Sequence, residues 1–175
     1  MILKVPKEAE SPMLYKPSRE LSLEEIKSAK IKKFTVDLIE TMYAKNGVGI
    51  ASVQVANPIA LCIIARDFTP EKKTDMVLIN PKFEKVSVLR DWDEEGCLSV
   101  PKIYGKVRRY KKIKVSALDE NGEKLEFVAK EFFARICQHE IDHLNGILFN
   151  SKAKNLHSLD AQAMIERQSK LEDKK

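Results

Sequence analysis

The sequence has few cysteines and no long apolar run. Its three cysteines are an odd number in a chain of 175 residues, which gives no support for a disulfide-stapled scaffold. Cys62 and Cys137 each lie among apolar neighbours, and we expect both to be reduced and buried. No apolar stretch approaches the roughly 20 residues that a membrane-spanning helix needs. We therefore expect no membrane partner.

The chain also lacks internal repeats, low-complexity tracts and domain linkers. Residues 1–175 are predicted to form one domain, because a chain of this length can bury one sizeable core but not two. The first six residues do not combine a charged segment with a long apolar one. No signal peptide is predicted, and we expect a cytoplasmic location.

Charge of either sign is only mildly in excess. Lysine and arginine together number 31 against 26 acidic residues, for a net charge of +5. A basic cluster between Lys106 and Lys114 is interpreted as a solvated strand face. The alternative is weak association with an acidic partner such as ribosomal RNA. We expect no direct DNA binding.

The N-terminal third is predicted to contain one long helix. Ser22 and Glu25 form a capping-box pattern ahead of an amphipathic stretch, so a helix is expected from about Leu23 to Ala44. Gly47 and Gly49 then break the helix, because two glycines in three residues favour a loop.

The middle of the chain has the apolar runs and alternating patterns of strands. An Asn121-Gly122 pair between two alternating segments indicates a β-hairpin. Strands are predicted at residues 59–64, 76–79, 83–88, 113–117 and 125–129.

The period becomes helical again at Glu131, and this helix is expected to end near Gly146. Residues 151–175 are predicted to be a tail with a surface helix over residues 158–171. The fold class is therefore α+β. We expect a single domain with mostly antiparallel sheets around a central helix carrying an HExxH motif, plus a long N-terminal helix and a C-terminal helix.

Two of the three histidines fall in that motif. Residues four apart lie on one face of a helix, so His139 and His143 can reach one cation while Glu140 lies beside them. Two ligands with an adjacent carboxylate base are typical of metal-dependent amide hydrolysis. The alternative is a pair of ordinary helix histidines. His157, in a polar stretch, is expected to be solvated.

A catalytic metal site normally has three protein ligands and one open position. The candidates downstream of the helix are poor. Upstream, Cys97 follows Gly96 in a segment without helical periodicity, and a bound metal would keep its thiol deprotonated. Cys97 is therefore the third candidate ligand.

Three segments together resemble the motifs of the peptide deformylase family, in the same order and spacing. They are Gly47-Val48-Gly49-Ile50-Ala51-Ser52-Val53-Gln54, Glu95-Gly96-Cys97-Leu98-Ser99 and Gln138-His139-Glu140-Ile141-Asp142-His143. The resemblance covers roughly residues 47–149. It implies an enzyme that removes the formyl group from formyl-methionine at the N-terminus of nascent polypeptides, with possible ribosome association.

The resemblance also implies a role for each site residue. Cys97, His139 and His143 would bind one divalent ion per chain, iron(II) in the cell, with zinc or nickel as substitutes. Glu140 would act as the general base and return the proton to the departing amine.

The remaining roles concern the substrate. The Gln54 side-chain amide and the Leu98 backbone N–H would stabilise the oxyanion. Gly49 would let the substrate backbone pair with the loop. The methionine side chain would enter an apolar pocket that includes Val48, Phe132 and Ile136.

The chain departs from the family pattern at a few positions outside the ligand set. Ser52 stands where the family usually has alanine, and Asn150 follows Phe149 where an acidic residue is common. Arg135 and Asp142 are interpreted as helix-face charges or salt-bridge partners without a catalytic role. Two other functions stay open: a metallopeptidase that cuts peptide bonds, and a non-catalytic metal-binding module associated with the ribosome.

Overall fold

The fold is described here from a computed structural model, which describes residues 1–160 together with residues 163, 166, 169 and 170. The helices are α1 (Leu23–Lys27), α2 (Ala29–Ala44) and α3 (Glu131–Leu144). The strands are β1 (Gly49–Ala51), β2 (Leu61–Ile64), β3 (Met76–Lys85), β4 (Arg90–Cys97), β5 (Val100–Tyr110), β6 (Lys112–Leu118), β7 (Lys124–Lys130) and β8 (Lys154–Ser158). The predicted α+β class is confirmed.

The strands form two antiparallel sheets. One has five strands in the order β1-β2-β3-β6-β7, and the other has three in the order β4-β5-β8. Cys62 and Ile64 of β2 belong to the core that contains α3, whereas Leu61 and Ile63 belong to the core that contains α2. The larger sheet is therefore covered on both faces, which explains why β2 is apolar at every position.

The predicted long helix is in fact two helices. The capping box of Ser22 and Glu25 is confirmed, but the backbone at Ser28 is extended, with φ −67° and ψ 146°. The Ser28 hydroxyl accepts a hydrogen bond from the Ile31 N–H at 3.3 Å and so caps a second helix. The prediction of an uninterrupted helix from Leu23 to Ala44 was wrong, because a second N-cap residue lies within it.

The predicted strands are present with changed limits. Residues 76–79 and 83–85 belong to one strand, β3, whose register shifts between Ile79 and Lys82. The β6–β7 hairpin is confirmed, but its turn is a loop of five residues. The Asp119 side chain accepts hydrogen bonds from the N–H groups of Asn121 and Glu123, both at 2.8 Å.

Strands β4 and β8 were not predicted from the sequence, and β5 was anticipated only through the basic cluster from Lys106, which was interpreted as a strand face. The β4–β5 hairpin matters most for the site, since Cys97 is the last residue of β4 and pairs with Val100 across a register shift. The hairpin thus brings a thiol from upstream in the sequence to the face of α3.

The helix α3 ends as predicted. Asn145 caps it, and Gly146 follows with φ +75°. A Cβ on Gly146 would lie 2.7 Å from the backbone of Tyr15, so glycine is needed there for both reasons.

In the predicted C-terminal helix, residues 163, 166, 169 and 170 are helical. Its apolar residues Ala161, Met164, Ile165 and Leu171, which we expect to anchor the helix, lie outside the described residues. Within the portion of the chain described, no helix is both long and apolar enough to cross a membrane.

Candidate metal centre

The three candidate ligands lie together. His139 and His143 project from one face of α3, and their Nε2 atoms are 3.2 Å apart. The Sγ atom of Cys97 is 3.3 Å from His143 Nε2. The Cys97 Sγ atom and one ring nitrogen of each histidine all lie within 4.8 Å of one another. The fold thus produces a three-donor cluster from two distant parts of the sequence.

The chemistry of this cluster fits a divalent transition metal. One thiolate and two imidazoles suit iron, nickel and zinc, and three protein donors leave a coordination position open. Burial alone lowers the pKa of His139, but the contacts with Cys97 and Glu95 raise it to about 10. Burial lowers the pKa of His143 well below its ordinary value, which favours the neutral imidazole that binds metals. The three donors and their separations, together with the neutral imidazole of His143, therefore fit a bound divalent cation.

Glu140 is buried beside the cluster with one oxygen unused. Its Oε2 atom has no hydrogen-bond partner among the described residues. Burial, reinforced by the negative charge of Glu95, raises the pKa of Glu140 to about 7. A carboxyl group with such a pKa can both accept and return a proton near neutral pH.

Gly49 makes room for this carboxyl group. A Cβ atom on Gly49 would lie 2.6 Å from Glu140 Oε1 and 2.9 Å from its Cδ, distances that require one of the two residues to move. The family resemblance implies that Gly49 pairs with the substrate backbone. Its contact with Glu140 supplies a second reason for glycine at this position.

Gln54 points its amide group toward Cys97. Its Oε1 accepts a hydrogen bond from the Ala51 N–H at 2.8 Å, which fixes the orientation of the amide. Its Nε2 then faces Cys97 Sγ at 3.3 Å and Ser99 Oγ at 3.4 Å. A buried N–H donor is therefore held next to the three-donor cluster.

Glu95 contacts the cluster and was not predicted from the sequence. Its carboxylate accepts two hydrogen bonds from Arg109 at 2.9 Å, one from Arg135 at 2.8 Å and one from the Nδ1 of His139 at 2.9 Å. Burial alone would raise the pKa of Glu95, but these contacts hold it well below its ordinary value. Because Glu95 accepts the Nδ1 proton of His139, it leaves Nε2 free to face the cluster.

Arg109 corrects the interpretation of the basic cluster between Lys106 and Lys114. Arg109 is buried and ion-paired with Asp142 as well as Glu95. Asp142 also accepts from Lys152 at 2.6 Å. The interpretation of Arg135 and Asp142 as salt-bridge partners holds, although both are buried and not on a solvated helix face.

A cleft of about 580 Å³ leads to the cluster. Val48, Phe132 and Ile136 line it together with Gly49, Gln54 and Leu98, so the predicted substrate-binding residues share one cavity. Lys45 and Lys102 also line it and are exposed. Glu94 also lines the cleft, and its Oε1 atom lies 3.2 Å from the Nε2 atom of His157. His157 is the histidine that we expect to be solvated, and its side chain is 42% exposed.

Comparison with known proteins agrees with this geometry. The family model described as polypeptide deformylase matches residues 1–158. The chain belongs to the peptide deformylase family. Peptide deformylase of Psychrobacter cryohalolentis is 39% identical over 147 residues, which are 84% of this chain and 79% of that protein.

Other family members agree in sequence and in structure. Peptide deformylase 1 of Pseudomonas syringae pv. tomato is 40% identical over 141 residues, 81% of this chain and 83% of that protein. The crystal structure of class I type b peptide deformylase from Acinetobacter baumannii with bound Met-Ala-Ser is 37% identical, with a TM-score of 0.81. The structural alignment covers 87% of this chain and 98% of the Acinetobacter baumannii chain. The chain is therefore an enzyme, a hydrolase of a metal-dependent family.

Proposed function

We propose that this deformylase removes the formyl group from formyl-methionine at the N-terminus of nascent polypeptides. The observation that carries the proposal is the buried Oε2 of Glu140, which lies beside the cluster of Cys97, His139 and His143 and has no hydrogen-bond partner among the described residues. The known complex of a relative with Met-Ala-Ser supports a peptide with N-terminal methionine as the occupant of the cleft.

In the proposed reaction, water adds to the formyl carbon and the C–N bond then breaks. Glu140 accepts a proton from the attacking water and delivers it to the departing amine nitrogen, which gives formate and a free N-terminus. The Gln54 Nε2 and the Leu98 N–H donate to the oxygen that becomes negatively charged. A divalent ion bound by the three donors would polarise the formyl carbonyl and lower the pKa of water.

The cleft also supports the proposed substrate. Phe132 and Ile136 on α3 and Val48 on the facing loop provide apolar walls for the methionine side chain. Gly49, in β1 at the edge of the five-stranded sheet, would hydrogen-bond the peptide backbone as an added strand. A cleft of about 580 Å³ suits a short peptide end.

We propose iron(II) as the ion, one per chain, with zinc and nickel as substitutes, since the donor set of one sulfur and two nitrogens accepts all three. We also propose that the enzyme acts in the cytoplasm on chains emerging from the ribosome, as one catalytic domain over residues 1–175. The location and the link to the ribosome follow from the substrate, because formylated N-termini exist on newly made polypeptides.

The test is formate release from formyl-Met-Ala-Ser by protein prepared with iron or nickel under reducing, oxygen-free conditions. We expect release from the formylated peptide and none from acetyl-Met-Ala-Ser, because an acetyl methyl would have to fit between the cluster and Glu140. Equal cleavage of formylated, acetylated and free peptides would favour a metallopeptidase. No release by metal-loaded protein would refute catalysis altogether.

A further inference from the structure

A second pocket lies outside the catalytic cleft and is strongly basic. It has a volume of about 250 Å³, and Lys85, Arg90, Arg108, Val88 and Tyr110 line it. All three cationic residues are exposed. Within the described part of the chain, no carboxylate forms an ion pair with any of them. Three like charges around one cavity repel one another, so an anion bound between them would be stabilised.

Arg90 is held in place by an aromatic ring, with no acidic partner among the residues that the structure describes. Its guanidinium lies 4.0 Å from the centroid of the Tyr110 ring and donates a hydrogen bond to the Tyr110 hydroxyl. Stacking on an aromatic ring orients the charge but does not neutralise it. The guanidinium therefore stays available for a phosphate, which it can bind through two N–H groups.

The positive charge extends along the outer face of the smaller sheet. Arg108 pairs in register with Trp92, and the Lys154 Nζ lies 5.0 Å from the centroid of the Trp92 ring. Lys106 is two residues from Arg108 on β5, so both point to the same face, about 6.7 Å apart along the strand. We name the set Lys85, Arg90, Lys106, Arg108 and Lys154 the basic face.

One carboxylate shares this face. Glu94 pairs in register with Lys106, and it lies 3.2 Å from His157. Asp91, by contrast, is bound to Arg135 on the other side of β4. Among the described residues, the outer face of the smaller sheet thus carries four cations, Arg90, Lys106, Arg108 and Lys154, against one acid, and Lys85 at the end of β3 adds a fifth cation through the shared pocket. Because Lys106 and Arg108 are about 6.7 Å apart along β5, these charges extend beyond the reach of a single phosphate ion.

We propose that the basic face binds the phosphodiester backbone of RNA, with Arg90 and Arg108 as the central phosphate contacts. A polyanion fits a row of cations, whereas a free phosphate would use only the pocket of Lys85, Arg90 and Arg108. RNA binding by this surface would place the enzyme at the ribosome, on whose emerging chains it is proposed to act. It does not depend on hydrolysis.

The test is fluorescence anisotropy with a labelled 20-nucleotide single-stranded RNA and the full-length, metal-loaded enzyme at 50 to 200 mM salt. The double variant Arg90→Gln/Arg108→Gln should bind about tenfold more weakly at 50 mM salt. Its slope of log affinity against log salt should be smaller by about 1.4, since each lost phosphate contact removes about 0.7.

Two control variants separate this surface from overall charge. Lys30→Gln/Lys124→Gln removes two exposed charges from other parts of the surface and should leave affinity nearly unchanged. Arg90→Lys/Arg108→Lys keeps the charge and should keep the salt slope. Formate release by all variants should match that of the wild type, which also reports that each is folded.

Several results would overturn the proposal. One is that the wild type shows no saturable RNA binding at 50 mM salt. Another is that Arg90→Gln/Arg108→Gln and Lys30→Gln/Lys124→Gln lose the same amount of RNA affinity. Displacement of RNA by millimolar inorganic phosphate at constant ionic strength would also refute it, because the site would then bind a single phosphate and not a backbone.

Discussion

Replacing Glu95 with glutamine should both destabilise the fold and weaken metal binding. The substitution keeps the shape of the side chain but removes a buried negative charge that contacts Arg109, Arg135 and His139. Breaking a buried ion pair typically costs about 3–5 kcal/mol. Arg109 keeps Asp142 as a partner and Arg135 keeps Asp91, so we expect a loss of about 2–4 kcal/mol.

The measurement is urea unfolding of metal-free protein at pH 7, with Asp91→Asn as the matched control. Asp91 also accepts from Arg135 at 2.9 Å, but its side chain is 47% exposed. An exposed pair contributes at most about 1 kcal/mol, so the control should lose less than that. Equal small losses in both variants would show that the Glu95 network does not stabilise the fold.

The contribution of Glu95 to the free energy of unfolding should depend on pH. The pKa of Glu95 lies below its ordinary value of 4.5 in the folded protein, so the folded state binds fewer protons than the unfolded state near that pH. The stabilisation is therefore complete above about pH 4.5 and is lost as the pH falls below it. The difference in unfolding free energy between wild type and Glu95→Gln should shrink in acid. A difference that stays constant down to pH 3 would contradict the argument.

Metal binding gives the second readout for Glu95. A group that orients a metal-binding histidine typically contributes a factor of about 10 to 100 in affinity. Glu95→Gln should therefore raise the dissociation constant for zinc by about that factor, whereas Asp91→Asn should leave it within about twofold. A zinc affinity unchanged in Glu95→Gln would show that His139 does not need this partner.

Three further predictions address the cleft. Gly49→Ala should lower kcat at least about tenfold, because the added Cβ displaces Glu140. The control is Gly105→Ala, whose Cβ would lie 2.9 Å from the Leu156 side chain and should change stability but not kcat. Formyl-Met-Ala-Glu-amide should have a kcat/KM about threefold above that of formyl-Met-Ala-Lys-amide at low salt, and Lys102→Gln should reduce this ratio; a ratio of one in the wild type would contradict the electrostatic reasoning. Zinc at about 1,000 times its dissociation constant should stabilise the wild type by about 4 kcal/mol in thermal unfolding, and Cys97→Ala should lose this effect at the same concentration.

The parts of the fold that were predictable depend on local patterns. The helical period from Glu131 and the glycine at 146 define α3, and alternation defines the β6–β7 hairpin. The break at Ser28 was missed because residues on both sides continue one amphipathic pattern. The cap that ends α1 depends on a single hydroxyl group.

The site was predictable where chemistry alone restricts the choice of residue. Two histidines and a cysteine are rare enough in this sequence to be found without coordinates. Glu95 and Arg109 are not, because charged residues are abundant and only the β4–β5 pairing turns both inward. The apolar Val107 between Lys106 and Arg108 is the signal that could have placed Arg109, two residues later, on the inward face of its strand, but no comparable signal marks Glu95.

The most direct test of the account measures metal content and formate release in the same samples of wild type, Glu140→Gln and Cys97→Ala. Oxygen-free preparation with iron should give the wild type one iron per chain and release from formyl-Met-Ala-Ser. Glu140→Gln should keep its iron and lose at least about 100-fold in kcat, within the range that a general base supplies. Cys97→Ala should lose both iron and activity. Full activity of iron-loaded Glu140→Gln, or an undiminished iron content in Cys97→Ala, would contradict the central claim.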